Sequence, residues 1–143
     1  MGENPVISEL INLSGKKVLV TGGLKGIGQS IALRLAESGA EVLVADTDPA
    51  IIGKEAEGNI RFTQCDITNA DQLETAVEMA SGDTGLDSLV NNAGIFPTTG
   101  PIDQASDEFV ARMLEVNVRA QFSASREASK RMLQGGSIVN ISS

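Results

Sequence analysis

The chain has 143 residues, a formal net charge of −8 and only 3% aromatic residues. With a pI near 4.4, scattered basic residues and no aromatic platform, it is a poor candidate for binding nucleic acid or an anionic membrane. It has no histidine and one cysteine, Cys65, which excludes histidine catalysis, histidine metal ligation and an intrachain disulfide, and fits a reducing, cytoplasmic setting.

The length suits one domain with a real core. Residues 1–15 read as a leader ending at a Ser14-Gly15 turn, with no apolar run of signal-peptide or membrane-span type. "KVLVT", 17–21, predicts a buried strand stopped by Gly22 and Gly23. Over 26–40, Ile27, Ile31 and Leu35 recur every four residues beside Ala32 and Ala36, which predicts an amphipathic helix along that stripe, closed by Gly39. A second strand spans 41–46 and a third 60–66, with a poorly defined segment between them. Residues 69–80 predict a helix capped by Asn69, and 86–94 a strand running into a turn. Ser106 then caps a long helix reaching Leu133, with Asp107 and Glu108 near its positive end and Phe109, Met113, Val116, Ala120 and Ala124 as its apolar stripe. A fifth strand takes 137–142. This alternation implies an α/β fold: a parallel sheet with right-handed crossovers, covered by helices on both faces.

Three glycines, Gly22, Gly26 and Gly28, stand where the first strand turns into the first helix. A backbone without Cβ can turn tightly there and approach a pyrophosphate, and the helix N-terminus adds free N–H donors. A glycine triplet also fits a turn with no ligand; the strand before it, the helix after it and an acid ending the next strand favour a dinucleotide. That acid is Asp46. A carboxylate there accepts hydrogen bonds from ribose hydroxyls and repels a 2′-phosphate, so NAD is favoured over NADP. Lys25, in the glycine turn, could pair with a 2′-phosphate, but it can also swing into solvent. Asn117 lies inside the stripe of the long helix, where an amide needs partners.

In order and spacing, five segments resemble the short-chain dehydrogenase/reductase family: "TGGLKGIG" with its Gly-x-x-x-Gly-x-Gly, "CDI" at 65–67, "NNAG" at 91–94, "NV" at 117–118 and "GSIVNISS" at 136–143. The resemblance runs from about Lys16 onward. It implies a Rossmann-type doubly wound sheet of strand order 3-2-1-4-5, truncated before its last strands, over residues 16–143. It implies hydride transfer between a small secondary alcohol or ketone and NAD, or less readily NADP. The turn from Gly22 through Leu24, Lys25, Gly26, Ile27 and Gly28 would hold the cofactor with Asp46. Asp66 would hold the adenine amino group beside the backbone of Ile67. Asn92, Ala93 and Gly94 would line the ribose and the approach to the nicotinamide, with Ser142 near the cofactor, and Asn91 would tie neighbouring strands together. Asn117 would loosen its helix and hold a relay water with its carbonyl, and the hydroxyl of Ser143 would hydrogen-bond the substrate oxygen. No metal is implied, and helix 106–133 would pair with a second copy in a homo-oligomer.

One element of the family pattern does not occur. The general acid/base of the resemblance is a Tyr in a Tyr-x-x-x-Lys motif following this Ser, and the chain contains no tyrosine. Losing such a group costs ~10²–10⁴-fold in rate, so the chain as given is expected to be inactive alone, its end at Ser143 reading as a break within an active site. Helix 106–133 is expected to leave apolar surface exposed. A non-catalytic dinucleotide-binding module and an interaction fragment stay open as alternatives, while the presence of Asn117 and Ser143 favours the enzyme.

Overall fold

Short apolar runs rich in valine and leucine form the sheet, because each is buried on both faces. A computed structural model describes residues 11–96 and 100–142. Strands β1 (Lys17–Thr21), β2 (Glu41–Asp46), β3 (Ile60–Gln64), β4 (Ser88–Asn91) and β5 (Ser137–Asn140) are all parallel, in the order β3-β2-β1-β4-β5. This is the doubly wound order expected. The connections are α1 (Gly26–Glu37) between β1 and β2, α2 (Ala70–Ser81) between β3 and β4, and α3 (Asp107–Leu114) with α4 (Ala120–Ser129) between β4 and β5. No helix among the described residues is long and apolar enough to cross a membrane.

The period of two sorts the strand residues between two cores. Leu19, Leu43 and Leu89, in register across three strands, pack against α2 and α4. Val18, Val20, Val42, Val44 and Val90 face α1. Both crossovers toward β5 place their helices on the first of these faces, and among the described residues no helix covers the α1 face over β4 and β5. An apolar groove of about 770 Å³ runs there past Leu35, Val90 and Val139, remote from the carboxyl ends of β1 and β2.

Caps form where polar side chains meet free helix donors: the Asn69 side chain accepts from Gln72 N–H (3.1 Å) and Ser106 Oγ from Phe109 N–H (3.1 Å). Asn91 is fully buried, and its Nδ2 reaches Asn140 Oδ1 (2.9 Å) and Ser125 Oγ (3.0 Å), tying β4 to β5 and to α4.

Four expectations need correction. First, Ile27 falls outside the packed stripe of α1, being 65% exposed; Ile31, Leu35 and Ala36 pack on the core as expected, beside the buried Gly28 and Ala32. Small residues let this helix approach the sheet more closely than branched ones would. Second, β3 ends at Gln64 because Asp66 turns the chain, its Oδ1 accepting from Thr68 N–H and Oγ1 at 2.9 and 2.7 Å. Third, β5 stops at Asn140, short of the expected end at Ser142, while β4 takes Ser88–Asn91 of the expected strand-and-turn segment 86–94. Fourth, the long helix is not continuous: a π-helical turn, Glu115–Arg119, separates α3 from α4, which ends at Ser129. Of the expected leader, residues 1–10 lie outside the described residues. Leu13 belongs to the fold, its N–H bonding Ser38 O at 2.7 Å and its side chain packing on the α1-side core.

Candidate dinucleotide-binding site

The site begins at the corner after β1. Gly22 has φ +64°, and a Cβ there would lie 2.7 Å from the Cα of Ala93. A Cβ on Gly28 would lie 2.3 Å from both Asn92 Nδ2 and the Gly22 carbonyl. The close approach is fastened by hydrogen bonds: Asn92 Nδ2 donates to the carbonyls of Thr21 (3.1 Å) and Gly22 (2.7 Å), and Thr21 Oγ1 accepts from the N–H groups of Asn92 and Ala93, both at 3.1 Å. The corner and the end of β4 are therefore one unit. Helix α1 starts here with no side-chain cap and no acid in its first turn, which leaves N–H donors and a positive dipole end for an anion.

Asp46 closes β2 beside this corner. Its Oδ2 accepts from Leu24 N–H (3.0 Å) and its Oδ1 from Asp48 N–H (3.0 Å), so the carboxylate is held in place by backbone. Lys25, mostly exposed, pairs with Asp48. The hydrogen bond from Lys25 comes first in holding the Asp48 carboxyl below its ordinary value, and the same bond raises Lys25.

Asp66 follows β3. Its carboxyl is held below the ordinary value by the Thr68 hydroxyl first, against the effect of burial, then by Thr68 N–H and the charge of Arg112. Burial, aided by the negative charge of Asp66, pushes the Cys65 thiol up to about 11. Cys65 is thus a neutral wall residue rather than a nucleophile at physiological pH.

Seven of the expected residues meet at one cleft of about 260 Å³: Gly22, Asp46, Asp66, Ile67, Asn92, Ala93 and Gly94. Leu24, Lys25, Gly26, Ile27 and Gly28 do not line it; they form the turn and helix start that flank it. Ser142 is exposed and also lies off the cleft. Ser143 falls outside the described residues.

Asn117 lies within the π-helical turn, where Ala120 N–H bonds Glu115 O, five residues back instead of four. Its side chain spans to the loop after β4: Nδ2 donates to Ile95 O and Oδ1 accepts from Ile95 N–H, both at 2.8 Å. The loosened helix implied by the resemblance is present at this residue. Sequence reasoning missed Thr21, which knits β1 to β4, and Arg112, which lines the cleft. Thr21 could have been noticed as a polar residue ending an apolar strand; Arg112 carries no local signal.

In open α/β sheets, ligands bind outside the carboxyl ends of the strands, at the point where the strand order reverses. The cleft lies at such a point, with β2 on one side of β1 and β4 on the other, and a glycine corner, an uncapped helix start and the Asp46 carboxylate around it. The fold and the position of the cleft are those of a Rossmann-type doubly wound α/β sheet. A family profile described as short chain dehydrogenase matches residues 16–143. An uncharacterized oxidoreductase of Methylorubrum extorquens is 40% identical over 139 residues, spanning 92% of this chain and 56% of that protein. Among solved structures, a short-chain type dehydrogenase/reductase from Mycobacterium ulcerans superposes with a TM-score of 0.82 at 33% identity, over 93% of this chain and 53% of that one. A short chain dehydrogenase from Burkholderia cenocepacia, solved in complex with NADP, gives 0.79 at 39% identity, over 90% and 56%. The chain belongs to the short-chain dehydrogenase/reductase family, and it spans about half the length of the relatives it matches.

Proposed function

We propose that this chain is the dinucleotide-binding half of an oxidoreductase that moves a hydride between a small secondary alcohol or ketone and a nicotinamide cofactor, with NAD preferred over NADP. Asp46 carries the preference. Its carboxylate, fixed by the N–H groups of Leu24 and Asp48, stands ready for the ribose hydroxyls. Asp48 beside it occupies Lys25, the cation a 2′-phosphate would need. The NADP-bound Burkholderia relative indicates that NADP suits other members of the family, so the preference rests on residues 25, 46 and 48 of this chain.

In this reading, the N–H groups of the Gly22–Gly28 turn hold the pyrophosphate, Asp66 the adenine amino group, and Asn92 to Gly94 the path toward the nicotinamide. The cofactor supplies the hydride acceptor or donor. Asn117 sets the helix backbone that would hold a water, and Ser143 takes the substrate oxygen. With no tyrosine or histidine in its 143 residues, the chain has neither a phenol nor an imidazole to exchange the alcohol proton, and it binds cofactor without turnover. Titration by nucleotide fluorescence tests this. NADH should bind at least about tenfold tighter than NADPH, the scale of a charge-assisted hydrogen bond, and Asp46→Ala should narrow the gap chiefly by weakening NADH. Equal or tighter NADPH binding by the unaltered chain would overturn the NAD assignment.

We propose also that the exposed face of the α3–α4 pair joins a second copy. Val110, Leu114 and Val118, four residues apart, are 45%, 57% and 59% exposed, and Phe122 continues the stripe at 69%. An apolar ridge of this kind calls for a partner, and a helix pair about a two-fold axis would cover it with itself. Sedimentation should show a dimer or larger species that Leu114→Glu reduces to monomer. A monomeric wild-type chain across the micromolar range would refute the pairing.

A further inference from the structure

We infer that Arg112 is a cofactor-affinity residue, its guanidinium closing over the face of the adenine whose amino edge Asp66 holds. The inference rests on the dinucleotide reading above and deepens it. Among the arginines of this chain, Arg34, Arg119, Arg126 and Arg131 each pair with a glutamate, and Arg61 donates to a backbone carbonyl. Arg112 has no hydrogen bond or ion pair among the described residues. Among the described residues it is nevertheless the one cation lining the cleft. It stands in the last turn of α3, one turn before Val116, which lines the same cleft; residues four apart share a helix face. Glu115, three residues on, feels the charge of Arg112 but is paired with Arg119.

The position favours the adenine over the pyrophosphate. The uncapped N–H donors lie at the corner of Gly22 and α1, whereas Arg112 comes from the helix beyond β4 and lines the cleft together with Asp66 and Ile67. An adenine hydrogen-bonded in its plane by Asp66 leaves a ring face free. A guanidinium is planar, weakly hydrated and always charged, and so covers such a face better than an ammonium. The small apolar wall from Ile67 and Val116 excludes water without supplying a polar contact of its own.

The test uses the full chain and two probes, NADH and AMP, with wild type, Arg112→Ala and Arg112→Lys. Arg112 is exposed, so the variants should keep the wild-type circular dichroism. Arg112→Ala should weaken both probes about fivefold. Arg112→Lys should recover less than half of that loss, and the loss should persist in about 0.5 M NaCl, where exposed charges are screened within a few ångströms. Full recovery with lysine, or disappearance of the loss in salt, would mean that Arg112 acts by charge alone and would overturn stacking. Equal binding by wild type and Arg112→Ala would sink this inference while leaving the dinucleotide reading in place. A wild-type chain that binds neither probe would remove both.

Discussion

Replacing Gly28 by alanine is expected to weaken NADH binding more than tenfold and to destabilise the chain by ~1–3 kcal/mol, the usual cost of forcing a methyl group into packed structure. The added Cβ would stand 2.3 Å from the Asn92 amide nitrogen and 2.3 Å from the Gly22 carbonyl oxygen. Neither atom is free to give way. The amide donates to that carbonyl at 2.7 Å, and Gly22 is itself held against Ala93. The only relief is for α1 to back away from the corner, which carries its N–H donors away from the pyrophosphate. Gly53→Ala is the control: its φ of +73° imposes backbone strain, but no atom lies within 4 Å of the new Cβ, so it should lower stability without touching affinity. Thermal melts and NADH titrations of the two variants separate the cases. A Gly28→Ala chain that binds as the wild type would show that the corner is slack.

Asn117→Leu is expected to cost ~2–4 kcal/mol, because one change strands a donor and an acceptor together. Both backbone groups of Ile95 bond this side chain at 2.8 Å, and a leucine of similar size offers neither of them a partner. Urea denaturation should show the loss, and amide exchange should place it at Ile95 and the 115–119 turn. Asn117→Asp sharpens the prediction. At neutral pH its carboxylate still accepts from Ile95 N–H but faces Ile95 O with a second oxygen, which disfavours ionisation and raises the carboxyl pKa in the folded chain. The protonated acid can donate to Ile95 O. Stability of this variant relative to wild type should therefore recover as the pH falls from about 7 to about 5. A flat difference over that interval would show that Ile95 O does not rely on the amide.

Much of the fold was legible because its determinants are local. β1 and β2 run over the residues that the apolar runs delimit, and Asn69 and Ser106 cap helices because a side-chain oxygen before an apolar-periodic segment meets free N–H groups. The face of α1 was legible at Ile31 and Leu35, which pack on the core, and misread only at Ile27, for a reason that local patterns do not contain. Periodicity counts bulk, so it added Ile27 to the stripe; how near the helix comes to the sheet is set by what is small, Gly28 and Ala32. The break at 115–119 was legible only through the family resemblance, which implied a loosened helix at Asn117, and not from the apolar spacing. Its residues keep apolar neighbours at helical spacing, and the turn is held open by a contact with Ile95, 22 residues away.

The site divides in the same way. The amino-acid sequence by itself determined the parallel α/β architecture, the glycine turn before the first helix, the acid that ends the second strand and the family to which these belong, because all are written in short-range order and spacing. Only the tertiary structure decided that Lys25 is spent on Asp48, that Thr21 and Asn92 lock the corner to β4, and that Arg112 lines the cleft. Those relations join residues far apart in the chain, and they exist because parallel strands deliver the ends of β1, β2, β3 and β4 to one edge of the sheet.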